Sequence, residues 1–279
     1  MPIFDGYLII SDIDGTLLDN GILPERNCEK IKYFISRGGK FSLSTGRVLK
    51  AVSAVTEKIE DISPSILANG AMIYDFKNRS VLFGDYIGES GHRFAEYIIK
   101  SHPEIGLEIH SKDNIFSFNA TKENSDHEKY ENFKAENADF SYVDSLEWTK
   151  VIYLPEPEFH GALEKEIDNS CAECDFFKSS AKIFGERRHY FEQVNKGVSK
   201  AKAAKRLCEI LKIDSKKCCA AGDYYNDLEV LKTSGYSGVP YEAPDDIKSA
   251  ADEILCSVKK GCVGDFIDRL ENRIKNSYN

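Results

Sequence analysis

Asp12 and Asp14 stand one residue apart, directly after the apolar run from Tyr7 to Ile10. That run has the pattern of a central strand in a parallel sheet. Charges are costly inside such a sheet, whereas the carboxyl ends of its strands are where ligands are held. Two acids in the turn made by Gly15 and Thr16 could bind a hard cation and supply both a nucleophile and a proton donor. Taken alone, Asp-x-Asp also fits an acidic turn that merely caps a strand. Three further segments argue for chemistry. Lys40 to Ser44 forms a second short run and ends in Thr45-Gly46-Arg47, a hydroxyl and amides able to hydrogen-bond phosphate oxygens. Cys218 to Ala221 is a third, followed by Gly222-Asp223-Tyr224-Tyr225-Asn226-Asp227, which adds two carboxylates and an amide. Between them, Gly197-Val198-Ser199-Lys200 opens a helical pattern that runs through Leu211. One lysine there could offset several acids and a phosphate dianion.

Such strand ends must be brought to one edge, and strand–helix alternation does this. Pro24 to Gly38 carries a helix start signal and apolar spacing at Cys28, Ile31, Phe34 and Ile35. Arg47 to Ile59 reads as the next helix and Ser65 to Ala68 as a strand. Met72 to Asp75 and Val81 to Tyr86 read as a hairpin around Lys77-Asn78. Beyond Lys200, the segments Ala201 to Leu211, Asp227 to Ser234 and Pro244 to Ala251 supply further helices. The alternation predicts an α/β fold, a parallel sheet covered by helices on both faces.

The middle of the chain differs in character. Gly91 to Ser101 and Phe159 to Asn169 are helical by period, and Gly106 to Asn119 alternates like paired strands. Lys122 to Asn137 is highly charged and reads as a solvated helix. Val151 to Leu154 and Asp175 to Phe184 read as further strands. The chain therefore divides into a core at 1–85 and 188–279 and an inserted α+β domain at 86–187. Two connecting segments could serve as hinges through which the insertion closes over the core and sets substrate choice.

With four such segments in this order, the chain resembles the haloacid dehalogenase superfamily of phosphotransferases. Asp12-Ile13-Asp14-Gly15-Thr16 is similar to its first motif and Ser44-Thr45-Gly46-Arg47 to its second. Lys200 in Gly-Val-Ser-Lys matches the third, and Gly222-Asp223-x-x-Asn226-Asp227 the fourth. Order and spacing resemble the Cof-type (class IIB) branch, which inserts a large cap between motifs two and three. Leu67-Ala68-Asn69-Gly70-Ala71 is also similar to that branch. The resemblance spans the core and is weak across the middle. It implies a Rossmann-like core and an α+β cap of the C2B type, with a helix-covered antiparallel sheet.

The resemblance further implies a Mg2+-dependent phosphatase. Asp12 would attack phosphorus and form an aspartyl-phosphate; Asp14 would protonate the leaving alkoxide and later activate water. Two such steps replace one hard displacement. Mg2+ would be held by Asp12, the main-chain carbonyl of Asp14 and Asp223, joining a carboxylate to a phosphate dianion that it otherwise repels. Ile13, Thr45, Gly46, Lys200 and Asn226 would receive the phosphoryl oxygens. Asp227 would support the lysine or a metal-bound water, with an N-cap as a compatible role. Arg47 either reaches substrate or pairs with a nearby acid. Asn69 and Lys196 are weaker candidates, for which structural roles are favoured. Cof-type relatives commonly carry a small Gly-Asn-Ala turn after motif four. Here Val239-Pro240-Tyr241-Glu242-Ala243-Pro244 stands in its place, so no substrate contact is carried over to that loop.

Composition sets consistent bounds. The 279 residues are 42% hydrophobic and 30% charged, with no 18-residue apolar stretch to cross a membrane. No basic segment precedes the first apolar run, so a cytoplasmic protein without a signal peptide is expected. A net charge of −9 and a pI near 5.3 argue against a nucleic-acid partner, yet permit an anionic small-molecule substrate beside a local cation. Among eight cysteines, Cys171 and Cys174 form one C-x-x-C pair. No second such pair or histidine pair completes a zinc site, and reduced thiols are expected. Three functions compete: a phosphatase of sugar phosphates or a phosphorylated cofactor, a phosphomutase using the same aspartyl-phosphate, and a non-catalytic phospho-ligand-binding protein. Intact Asp12 and Lys200 favour turnover. A dehalogenase needs neither an acid at Asp14 nor a metal, and an ion pump needs membrane segments.

Overall fold

Short apolar runs alternating with helices produce a parallel sheet in the computed structural model, which describes residues 2–131, 133–170 and 173–277. In chain order the first elements are β1 (Leu8–Ser11), α1 (Glu25–Ser36), β2 (Lys40–Leu43), α2 (Leu49–Thr56), β3 (Ser65–Leu67), β4 (Met72–Asp75) and β5 (Ser80–Gly84). The middle comprises α3 (Glu89–Ser101), β6 (Gly106–Ser111), β7 (Ile115–Phe118), α4 (Lys122–Glu131), α5 (Phe140–Asp144), β8 (Trp148–Leu154), α6 (His160–Asp168), β9 (Cys174–Ile183) and β10 (Glu186–Asn195). The last part holds α7 (Lys200–Leu211), β11 (Cys218–Ala221), α8 (Leu228–Thr233), β12 (Tyr236–Val239), α9 (Asp245–Lys248), β13 (Glu253–Ile254) and α10 (Cys262–Asn276).

Two units result. Unit 1 comprises Met1–Arg47, Val52–Phe83 and Ser199–Asn279, and unit 2 comprises Val48–Ala51 and Gly84–Val198. The sequence reading closes the insertion at 187, whereas β10 continues to Asn195 and pairs with β8 and β9 of unit 2.

Unit 1 is the expected α/β layer structure. Its parallel sheet runs β13-β12-β11-β1-β2, and β3-β4-β5 form a separate small sheet. Leu8 and Ile10 point to one face, where they pack with Ala204, Leu207, Cys218, Ala220 and Val230. Small side chains at Ala201, Ala203 and Ala204 let α7 lie close to the strands. α10 lies outside the helices expected from the sequence. Its signal was present in Val263, Phe266, Ile267, Leu270 and Ile274, all buried and spaced at helical intervals. The expected helix from Pro244 to Ala251 shortens to the single turn of α9.

Unit 2 carries an antiparallel sheet in the order β7-β6-β8-β10-β9. One of its faces is apolar: Leu107, Ile109, Val151, Tyr153 and Phe191 pack with Phe94, Ala95 and Ile98 of α3 and Leu163 of α6. The charged segment after β7 is not a solvated helix. Glu123, Asn124, Asp126 and His127 of α4 are all buried, because charges on the sheet replace an apolar face. Arg188 of β10 pairs with Glu123 and lies 3.7 Å from Asp126. His127 Nδ1 sits 2.9 Å from Glu108 of β6, itself fully buried, and Asn124 donates to the Leu107 carbonyl at 3.3 Å. Asn132 and Cys171 lie outside the described residues. No disulfide joins the described cysteines, and Cys174 accepts a hydrogen bond from Gln193 at 3.3 Å.

Removing one partner of the buried His127–Glu108 pair strands the other, at a cost of about 1–3 kcal/mol. Burial acts against the imidazolium, but Glu108 outweighs it and leaves the His127 pKa raised. The contribution of protonated His127 is therefore complete below its ordinary 6.5 and fades as pH rises through the higher folded value. Urea unfolding followed by the single tryptophan, Trp148 in β8 of unit 2, should show His127→Ala less stable than the parent. The gap should be wider at pH 5.5 than at pH 9. An equal gap at both would refute the ionic role.

Candidate active site

Register in the parallel sheet determines where the polar residues emerge. Ser11 of β1 lies opposite Leu43 of β2 on one side and Ala221 of β11 on the other. Asp12, Ser44 and Gly222 therefore follow three adjacent strands at one level, and the segments Asp12–Thr16, Ser44–Arg47 and Gly222–Asp227 leave the same edge. Backbone hydrogen bonds clamp the first two there: Asp12 N donates to the Ala221 carbonyl at 2.8 Å and Ser44 N to the Ser11 carbonyl at 2.8 Å.

Lys200, the first residue of α7, is buried to 2% exposure. Its Nζ donates to Asp12 Oδ1 at 2.6 Å and to Asp227 Oδ1 at 2.7 Å. Ser199 caps the helix, its hydroxyl accepting from Lys202 N at 3.1 Å. Asp227 precedes α8 but does not cap it through its side chain. Its second oxygen instead accepts from the amides of Asp223 and Tyr224 at 3.2 and 3.4 Å. Both oxygens of Asp227 are thus spent on holding the lysine and shaping the loop.

Ligand atoms of Asp12, Asp223 and Asp227 lie within 4.8 Å of one another. Three carboxylates around one ammonium leave surplus negative charge in a poorly hydrated place. Burial pushes the Asp12 carboxyl up to about 8; Lys200 opposes the rise, while Asp227 and Asp223 add to it. Asp223 is pushed up to about 6, by burial first and by Asp227 next, against the Thr16 hydrogen bond. Burial works against the Lys200 ammonium, yet Asp12 and Asp227 together leave its pKa raised. The donor set is all oxygen and the deficit is positive charge, which fits a hard divalent cation. With Asp227 engaged, Asp12 and Asp223 are the side chains that could hold one.

Several residues outside the sequence candidates make this arrangement possible. Gly15, at φ +75°, is where Asp223 approaches; an added Cβ would stand 2.5 Å from Asp223 Oδ2. Thr16 is fully buried and donates to Asp223 Oδ1 at 3.1 Å. Asn27 of α1 donates to the Leu17 carbonyl at 2.9 Å and accepts from Gly264 N at 2.8 Å, so α1 and α10 together hold the loop after Asp14. Gly70, at φ +107°, abuts the Ser199 carbonyl, where a Cβ would come within 2.3 Å. The acids mark Asp12–Gly15 in the sequence. The glycines' steric roles become visible only once distant segments meet.

The second motif is also assembled. Thr45 Oγ1 accepts from Arg47 N at 3.1 Å, which leaves the hydroxyl proton for an acceptor. Asn69 N donates to the Thr45 carbonyl at 2.9 Å, and Asn226 donates to the Asn69 side chain at 3.3 Å. Asn69 and Ala68 both adopt positive φ, 54° and 49°, an uncommon state for residues other than glycine. Arg47 pairs with an acid: its Nε and Nη2 donate to the two oxygens of Asp14 at 2.8 and 2.6 Å. Ile13 is fully buried beneath the loop. Glu242 accepts from Val258 N at 3.2 Å and so braces its own loop, while Tyr241 is exposed against Lys248. Lys196 is exposed.

The model of the haloacid dehalogenase-like hydrolases matches residues 9–267. The chain belongs to that family. It is 24% identical to the 5-amino-6-(5-phospho-D-ribitylamino)uracil phosphatase of Bacillus subtilis, over 94% of this chain and 97% of that protein. Among solved structures, a Thermotoga maritima protein superposes with a TM-score of 0.81 at 23% identity, covering 94% of this chain and 97% of the other. A subclass IIB sugar phosphatase of the family superposes with a TM-score of 0.77 at 18% identity, over 95% and 98%. These likenesses establish the fold of the hydrolase, including the helix-flanked parallel sheet and the additional antiparallel sheet.

Lys200→Ala should strand two buried carboxylates and cost about 3–5 kcal/mol. Chemical denaturation checks this, with Lys202→Ala, on an exposed position of the same helix, as the control. Equal stability of the two variants would contradict the paired geometry.

Proposed function

We propose that this hydrolase is a Mg2+-dependent phosphatase of small phosphate monoesters, acting through a phosphoryl group carried on Asp12. The buried Lys200 held between Asp12 and Asp227, with Asp223 brought close to both acids, carries the reading. Relatives named as phosphatases support it, and the ribitylamino-uracil and sugar phosphatases among them favour sugar phosphates or a phosphorylated cofactor as substrates. Unit 1 then serves as the catalytic core and unit 2 as a cap.

Asp12 is the attacking group, because its carboxylate lies at the strand end, hydrogen-bonded to Lys200 and inside the acidic cluster. Mg2+ at Asp12, Asp223 and the Asp14 carbonyl would neutralise charge between carboxylate and phosphate. Thr45, the amides of Ile13 and Gly46, Lys200 and Asn226 receive the phosphoryl oxygens. Asp227 holds Lys200 in place. Asp14 gives a proton to the leaving oxygen and later takes one from water, work worth on the order of 10²–10⁴-fold. Attack by Asp12 breaks the ester bond; water then attacks the acyl phosphate, returns Asp12 and releases phosphate.

Asp12→Asn should keep the fold and lose phosphate release on a panel of phosphorylated sugars, nucleotides and cofactors assayed with Mg2+. Substantial turnover by the pure, folded variant would sink the assignment. A chelator should abolish the parent's activity and Mg2+ should restore it, with excess Ca2+ inhibiting through its looser coordination. Release of an isomeric phosphosugar instead of phosphate would convert the reading to a mutase. Exchange of unit 2 for that of a relative should change substrate preference while Asp12 stays essential; an unchanged profile would place specificity in unit 1.

A further inference from the structure

The Asp14–Arg47 pair is arranged against the chemistry just assigned to Asp14. Both carboxylate oxygens accept from one guanidinium, at 2.8 and 2.6 Å, so the Asp14 side chain is turned onto Arg47. The four motifs contain two cations, and Lys200 is fixed between two buried carboxylates. The second cation is Arg47, whose backbone is pinned by its own N–H on Thr45 Oγ1 and by Ala68 N on its carbonyl at 2.9 Å. Its side chain shares a partly exposed pair, 24% for Arg47 and 56% for Asp14, a setting in which ion pairs are weak. A guanidinium fork matches phosphate as well as it matches carboxylate, and a phosphate dianion is the more highly charged partner.

We propose that Asp14 is an internal competitor for Arg47, and that an arriving phosphate dianion takes the guanidinium and thereby releases Asp14 toward the leaving oxygen. This rests on the phosphatase reading and adds a step to it: substrate binding itself arms the proton-transfer group. Arg47 acts as a positioning residue for Asp14 in the resting site and as a phosphate ligand in the loaded one.

The test is a double-mutant cycle on binding of inorganic phosphate, measured by calorimetry in the presence of Mg2+ with the full chain. Arg47→Ala should weaken phosphate about tenfold. Asp14→Ala should tighten it several-fold by removing the competitor, and this gain should vanish when Arg47 is already alanine. A gain of the same size in both backgrounds would show mere charge repulsion by Asp14 and overturn the exchange. Unfolding curves and circular dichroism confirm that each variant is folded, and Arg47→Lys should recover part of the affinity. In turnover, exchange predicts that Arg47→Ala acts on KM. A fall in kcat at unchanged KM would assign Arg47 only a fixed bracing role and also overturn it. Failure of the parent to bind phosphate at all would sink the phosphatase reading, a different result from binding without coupling.

Discussion

One buried ammonium holds the site of unit 1 together. Lys200 bridges Asp12, at the end of the first strand, and Asp227, in the loop after the strand beside it. That cation opposes the rise that burial, Asp227 and Asp223 impose on the Asp12 carboxyl. The same crowding of oxygen ligands suits the cluster to a hard cation. Much of unit 1 serves this contact. The parallel register brings three strand ends level, three alanines let α7 approach the sheet, and Gly15 and Gly70 remove side chains where backbone and carboxylate must nearly touch.

Unit 2 solves a different problem with similar means. Its sheet has one face buried under apolar helices and another that carries Glu108, His110, Lys150, Arg188 and Glu192. The helix that meets this polar face, α4, presents acids and a histidine rather than leucines. Ion pairs such as His127–Glu108 and Arg188–Glu123 make such burial tolerable and favour one alignment of helix and strands. His110, beside Glu108 at 3.5 Å, has its pKa lowered to about 4, chiefly by burial. It therefore stays neutral, whereas Glu108 holds the His127 pKa above its ordinary value.

Much of the candidate site's geometry was legible in the sequence because its segments are local. Asp12 and Asp14 are one residue apart, and Asp223 and Asp227 occupy one loop, so type and spacing suffice to mark them. Their partners were not legible in the same way. Whether Arg47 meets substrate or Asp14 depends on how the ends of two strands align, and that is a tertiary fact. The polar burial of α4 inverted the usual inference from charge to solvent exposure, because Arg188, which pairs with Glu123 and Asp126, lies more than 60 residues away, as the 65-residue Glu123–Arg188 spacing shows. By contrast α10 was within reach of a periodicity reading, and the steric need for glycine at 15 was not.

In the proposed reaction Asp12 carries the transferring phosphoryl group. The most direct measurement is rapid acid quench of the Mg2+-loaded protein during turnover of a phosphate monoester, followed by peptide mass spectrometry. The account predicts a transient phosphoryl group on Asp12, formed and lost at rates that support steady-state turnover. Robust turnover with no phosphoryl group on Asp12, or with one on a different residue, would contradict it.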